Sequence, residues 1–95
     1  MALGKIVNFD VSLRVAVVYN LMARYLDESE EYFVLKSPAI LNDLFREIVK
    51  KHPSLAPMFG EHPTMMILID GTPSQPNAIL KDGSRVDLMP LFDGG

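Results

Sequence analysis

Apolar residues along the chain recur with two different periods, and the changes of period mark the elements. Ser12 to Tyr19 is rich in valine, and β-branched residues favour extended backbone, so a buried first strand is expected there. Asn20 to Asp27 reads as a helical turn or loop, and the polar run Asp27-Glu28-Ser29-Glu30-Glu31 reads as a solvated connection. Tyr32 to Lys36 reads as a second strand, most simply paired antiparallel with the first. The period then changes. Leu41, Leu44, Phe45 and Ile48 fall at i, i+3, i+4 and i+7, one apolar stripe along a helix. Ser37 is the expected N-cap and Pro38 the first helical residue, where a missing N–H costs nothing. Lys50, Lys51 and His52 sit at the negative pole of this helix, and Pro53 stops it.

Beyond the helix, Ser54 to Pro63 is proline-rich and reads as a surface loop. Met65 to Ile69 is an unbroken apolar run of strand length, as a central strand would be. Asp70-Gly71-Thr72-Pro73 is a turn signal, residues 74–81 a connection, and Asp82-Gly83 a hairpin-type turn. Arg85 to Leu88 alternates, with Val86 and Leu88 on one side and Asp87 on the other, so Met89 faces outward. Two strands, one helix and further strands make an α+β roll: a mixed sheet of four to five strands with one main helix on one face. Residues 1–12 are an N-terminal extension or an extra strand. A rival register puts the first strand at Val7 to Val11 and makes residues 13–27 an inserted helix.

Composition narrows the function classes. The 95 residues suit a single domain, and 48% hydrophobic residues suffice for a core. With no cysteine, disulfides, thiolate metal sites and a catalytic thiol are excluded. The formal charge is −3 and no basic cluster exceeds Lys50–Lys51, so a nucleic-acid partner is not expected. The acidic balance suits a soluble surface or a partner with a basic docking face. His52 and His62 are the only histidines, and their spacing supplies no converging ligand set, so no metal site is expected. There is no Gly-rich phosphate loop and no visible nucleophile–base pair. Neither a signal peptide nor a membrane span is evident, from which a cytoplasmic location is expected.

The candidate chemistry lies at Asp93-Gly94-Gly95. A terminal carboxylate is a poor electrophile until it is activated, for example as an acyl-adenylate in a partner's nucleotide site. A tail of glycines can thread a narrow channel and adopt backbone angles closed to other residues. Once activated, the acyl group can take sulfur or a lysine amine. Residues 91–95 are expected to be a flexible tail. Met89 is a candidate docking residue beside it, on its outward side. Phe92 either joins that patch or folds over the core edge, and Leu91 is expected to fold back.

The stretch Leu80-Lys81-Asp82-Gly83-Ser84-Arg85-Val86-Asp87-Leu88-Met89-Pro90-Leu91-Phe92-Asp93-Gly94-Gly95 resembles the C-terminus of the MoaD/ThiS group of ubiquitin-like sulfur carriers. Ile67-Leu68-Ile69-Asp70-Gly71 resembles the preceding strand and turn of that group, and Tyr19 to Leu26 resembles the segment after its first strand. Tyr19 is followed here by Asn20 and Leu21, where relatives often carry a second aromatic and a small residue. The resemblance implies a ubiquitin-like β-grasp fold over a single domain, 1–95. It implies a non-catalytic carrier whose Gly95 is adenylated by an E1-like adenylyltransferase and thiocarboxylated with a sulfurtransferase. Gly94 would give access. The sulfur would pass to molybdopterin, thiamine or tRNA thiolation, in the first case through a molybdopterin synthase large subunit. No intrinsic cofactor is implied, the ATP being the activating partner's. The alternatives are a modifier joined to lysines of target proteins through Gly95, or a non-covalent interaction module.

Overall fold

The computed structural model describes residues 11–59 and 64–91. Their order is β1 (Ser12–Tyr19), β2 (Glu30–Lys36), β3 (Ala39–Ile40), α1 (Leu41–Lys51), a 3₁₀ helix (Pro53–Phe59), β4 (Met65–Ile69), β5 (Thr72–Pro73), β6 (Ile79–Leu80) and β7 (Arg85–Pro90). A five-stranded sheet runs β2-β1-β7-β4-β5, and β3 pairs with β6 in a separate two-stranded ladder. β1 is antiparallel to β2 and parallel to β7, with Leu13 opposite Leu35 and Tyr19 opposite Leu88. The expected hairpin and mixed sheet are therefore present, and the later register for the first strand holds. Residues 1–10 lie outside the described residues.

One face of the sheet carries Leu13, Val15, Val17, Val86, Leu88 and Ile67, all buried against Leu41, Leu44, Phe45 and Ile48 of α1. The helical stripe is thus the core face. Each such side chain contributes about 1.5–3 kcal/mol on full burial. Leu55 of the 3₁₀ helix and Leu80 of β6 close the sides of this layer.

The helix begins later than its sequence suggests. Ala39–Ile40 are drawn into the ladder with Leu80 and Ile79, so Ser37 and Pro38 precede a strand rather than cap α1. The first helical N–H groups are satisfied from far along the chain: Leu41 N–H donates to Ala78 O and Asn42 N–H to Pro76 O, each at 2.9 Å. Asp43 adds a local clasp by accepting the Ile40 N–H at 2.9 Å. A cap supplied by residues 76–78 leaves no local signature, and the nearby Ser-Pro drew the boundary to itself.

Four other expectations change. The loop at 54–59 is a 3₁₀ helix that buries Leu55, while 60–63 lie outside the described residues. Within the expected connection at 74–81, Ile79–Leu80 forms β6. Met65–Ile69 is not the sheet's centre. That place belongs to β7, and β4 is flanked on one side by only the two-residue β5. Its outward Met66 is 44% exposed, so the unbroken apolar run marks one surface-facing apolar side and not burial on both sides. Asp82–Gly83 is a turn but joins no hairpin, because β6 and β7 belong to different sheets. The true two-residue hairpin is Asp70–Gly71 between β4 and β5, with φ positive at both residues as that tight turn requires.

Candidate functional site

Because β7 runs parallel to β1, the end of the sheet where β1 finishes is also where the chain leaves toward Gly94 and Gly95. At that exit, Asn20 N–H donates to Leu88 O at 2.8 Å. The Asn20 amide adds contacts to Leu88 O at 3.2 Å and Asp87 Oδ1 at 3.4 Å. On the other side, Leu91 N–H donates to Thr64 O at 2.9 Å. The strand is held from both flanks up to Leu91, the last described residue. Phe92, Gly94 and Gly95 lie outside the described residues.

The sheet face turned away from α1 is largely apolar near this exit. Met89 is half-buried and lies directly opposite Met66, with the half-buried Val18 and Leu68 on the same face. Met89 thus faces outward as expected. Leu91 does not fold over the core edge. It is 56% exposed, because its backbone bond to Thr64 keeps it in line with β7. Farther along the face, Tyr32 and Val34 of β2 are exposed, and the Arg14 guanidinium lies 4.4 Å from the Tyr32 ring centre.

A second feature at this end falls outside every expectation. The acidic run was expected to be solvated, but β2 begins at Glu30 and turns Glu31 inward, opposite Val17. The Glu31 side chain is only 7% exposed. Tyr19 O–H donates to its Oε1 at 2.5 Å, and His52 Nε2 lies 2.7 Å from the same oxygen. The Lys51 ammonium lies 2.6 Å from Oε2. The His52 and Tyr19 rings meet edge to face, 6.0 Å between centres. Burial alone pushes the Glu31 carboxyl up, but hydrogen bonding from Lys51, Tyr19 and His52 outweighs it and holds the group below the usual carboxylate range. Tyr19 is pushed far above the ordinary phenol value by burial first, then by its hydrogen bond to the Glu31 carboxylate. Glu28, Glu31 and His52 also present ligand atoms all within 4.8 Å of one another. Spacing gave no sign of this convergence, since the partners stand 12 and 21 positions from Glu31. The one available signal was the strand period itself: extended one turn of the pleat before Phe33, it places residue 31 on the inner face.

Among solved structures, the putative molybdopterin converting factor subunit 1 from Pyrococcus furiosus is 28% identical, with a TM-score of 0.73 over 84% of this chain and 99% of that one. Small archaeal modifier protein 1 from Haloferax volcanii shares the fold at 16% identity, with a TM-score of 0.75 over 84% of this chain and 99% of that one. The complex of subunits 1 and 2 of molybdopterin-converting factor from Helicobacter pylori 26695 matches at 26% identity and a TM-score of 0.53, over 87% of this chain and all of that one. No curated protein matches the sequence. The model of the ThiS family matches residues 17–95, from within β1 through the exit strand to Gly95. The chain therefore belongs to the ThiS family, of the MoaD/ThiS-like ubiquitin-type β-grasp sulfur carriers.

Proposed function

We propose that this protein carries sulfur on the carboxyl group of Gly95: an E1-like adenylyltransferase activates the carboxylate with ATP, and a sulfur donor displaces AMP to leave a thiocarboxylate that passes its sulfur to a biosynthetic acceptor. The observation that carries this reading is the family match running through to Gly95, together with a β7 whose exit is clamped on both flanks. Clamping matters physically. A strand fixed up to Leu91 presents a defined point of departure to a partner and itself needs no further ordering on engagement. The outward Met66–Met89 pair with Val18 and Leu68 gives a partner an adaptable apolar surface beside that point. The Helicobacter pylori protein, which stands in a complex of subunits 1 and 2, supports a second subunit as one such partner.

A second reading uses the same activated end with a lysine amine as acceptor, making the protein a covalent modifier. It is supported by the fold shared with the small archaeal modifier proteins, whose TM-scores of 0.73 to 0.76 equal or exceed that of the molybdopterin converting factor subunit. The acceptor separates the two, so the test reads the acceptor. The protein is incubated with the cognate adenylyltransferase, ATP and a sulfur donor, and weighed intact. A mass gain matching one oxygen replaced by sulfur, lost when Gly95 is deleted, supports the carrier. Isopeptide-linked products on lysines, with no stable thiocarboxylate, support the modifier. Neither product, with partner binding unchanged after deletion of Gly94 and Gly95, leaves the interaction module and overturns both.

A further inference from the structure

The outer edge of β2 serves neither the core nor the exit toward Gly95. Among the described residues this strand has a neighbour on one side only, because the sheet ends there. Its ladder to β1 fixes which backbone groups are left over. Tyr19 N–H donates to Ser29 O and Ser37 N–H to Val11 O, so the bonded pairs fall at the odd positions of β2. The N–H and C=O groups of Glu30, Tyr32, Val34 and Lys36 therefore point away from β1, into the open edge. The side chains of the same four residues are exposed, on the sheet face turned away from α1. The middle two, Tyr32 and Val34, are apolar in the main and 54% and 67% exposed. The outer two carry opposite charges, and neither forms an ion pair with another described residue. An edge with an apolar middle is a template for another strand.

We propose that this edge is a self-association surface, on which a second copy of the chain adds its own β2 antiparallel about a two-fold axis at Phe33. The register follows from the strand itself. Only even positions have groups free to bond across the edge, so even must face even. With the axis at Phe33, Glu30 stands opposite the partner's Lys36 and Tyr32 opposite the partner's Val34, and the two-fold repeats both pairs. An axis at Tyr32 or Val34 would instead leave one end of each β2 facing residues beyond the other strand. Glu-x-Tyr-x-Val-x-Lys is thus self-complementary in this one register. A surface groove of about 420 Å³ between the Lys36 end of β2 and α1, lined by Val34, Leu35, Lys36, Asp43 and Arg46, leaves room beside the edge. The contact joins two five-stranded sheets into one. β1 stands between β2 and β7, and antiparallel pairing turns the two β7 strands toward opposite ends of the joined sheet. Neither exit at Leu91 lies against the contact, so it is independent of the carrier reading.

Sedimentation equilibrium of the full-length protein, from about 10 µM to about 1 mM, reads the association directly; a small, partly polar contact should give a monomer–dimer Kd on the order of 100 µM. Glu30→Lys and Lys36→Glu, both at exposed positions, set like charges opposite one another and each raises Kd about tenfold or more. Mixing the two variants restores association to the natural level, because every charge on one then faces its opposite on the other. Val34→Pro removes a donor from the open edge and none from the β1 ladder, and abolishes the dimer. A monomer at every concentration overturns the proposal, and slow hydrogen exchange at Tyr32 and Val34 in that monomer would assign the edge to residues 1–10. Two further results overturn it: a mixture of the charge variants that associates no better than either alone, and a dimer that survives Val34→Pro, which would put the contact on the sheet face and not on its edge.

Discussion

At the end of the sheet where β1 begins, the turn after β6 is sewn to β1 through the backbone. Arg14 N–H donates to Asp82 Oδ1 and Gly83 N–H to Arg14 O, both at 2.8 Å. Ala16 N–H donates to Ser84 O at 2.9 Å, and the Ser84 hydroxyl closes the turn by accepting Lys81 N–H at 3.0 Å. At the end where β1 finishes, backbone bonds from Tyr19 to Ser29 and from Asn20 to Leu88 are joined by a side-chain network: Tyr19 from β1, Glu31 from β2, and Lys51 and His52 from the end of α1. The first end spreads its stability over several modest bonds, only one of them to a charged group, the exposed Asp82 carboxylate. The second concentrates it in one buried charge, which makes that end sensitive to single substitutions and to pH, and places that sensitivity beside the exit toward Gly95.

Glu31→Ala tests the contrast most strongly. It strands the buried Tyr19 hydroxyl and removes the partner of Lys51 and His52. Leaving a buried polar group unpaired costs about 1–3 kcal/mol. Breaking a fully buried ion pair costs about 3–5 kcal/mol, but Lys51 reaches water and discounts that figure. The expected loss is about 2–4 kcal/mol in urea unfolding at pH 7, at unchanged denaturant slope. A loss below about 1 kcal/mol would mean that the network is ornamental.

The same carboxylate has a pH signature. Its folded-state value is depressed, so its stabilisation is present above the unfolded carboxyl value and is lost as pH falls through the lower folded value. Stability of the natural protein should therefore fall more steeply with acid than that of Glu31→Gln, the two curves converging at low pH. Tyr19 acts in the opposite direction. Its raised value contributes stability below the ordinary phenol value of about 10 that is lost as pH rises through the folded value. Tyr19→Phe should flatten the alkaline limb and, by removing one of the bonds that hold Glu31 low, also weaken the acid limb.

The two ends also differ in how much of them the sequence disclosed. The Asp82-Gly83 turn is legible because turn chemistry is local: one glycine at φ 87° carries the signal. Likewise β1 follows from its β-branched valines, and the core stripe of α1 and the inward Val86 and Leu88 follow from period. The Glu31 cluster is illegible for the same reason that the α1 cap is. Its members come from three elements, and only the packed fold makes them neighbours. Phe92 and the two glycines of the candidate site were singled out by sequence pattern, and they lie outside the described residues. What the structure adds there is the clamp at Asn20 and Thr64, which no motif announced.

Gly83→Ala probes the backbone-sewn end. No neighbour lies within 4 Å of an added Cβ, so any cost comes from the positive φ and not from a clash. A cost of about 1 kcal/mol is expected in the same urea assay. A neutral result would show that the turn relaxes without loosening β1.

Asp82→Ala should have the smallest effect, and it is informative because a neutral substitution is available beside it. The Asp82 carboxylate accepts the Arg14 N–H at an exposed position, so water can replace it when it is removed. The loss should be about 0.5–1 kcal/mol. Asp82→Asn keeps an acceptor oxygen at the same place and discards only the charge. If the backbone bond is what matters, Asp82→Asn retains nearly full stability while Asp82→Ala does not, and added salt changes neither. If both variants lose equally and salt removes the difference from the natural protein, this end also leans on charge, and the contrast between the two ends of β1 becomes one of degree.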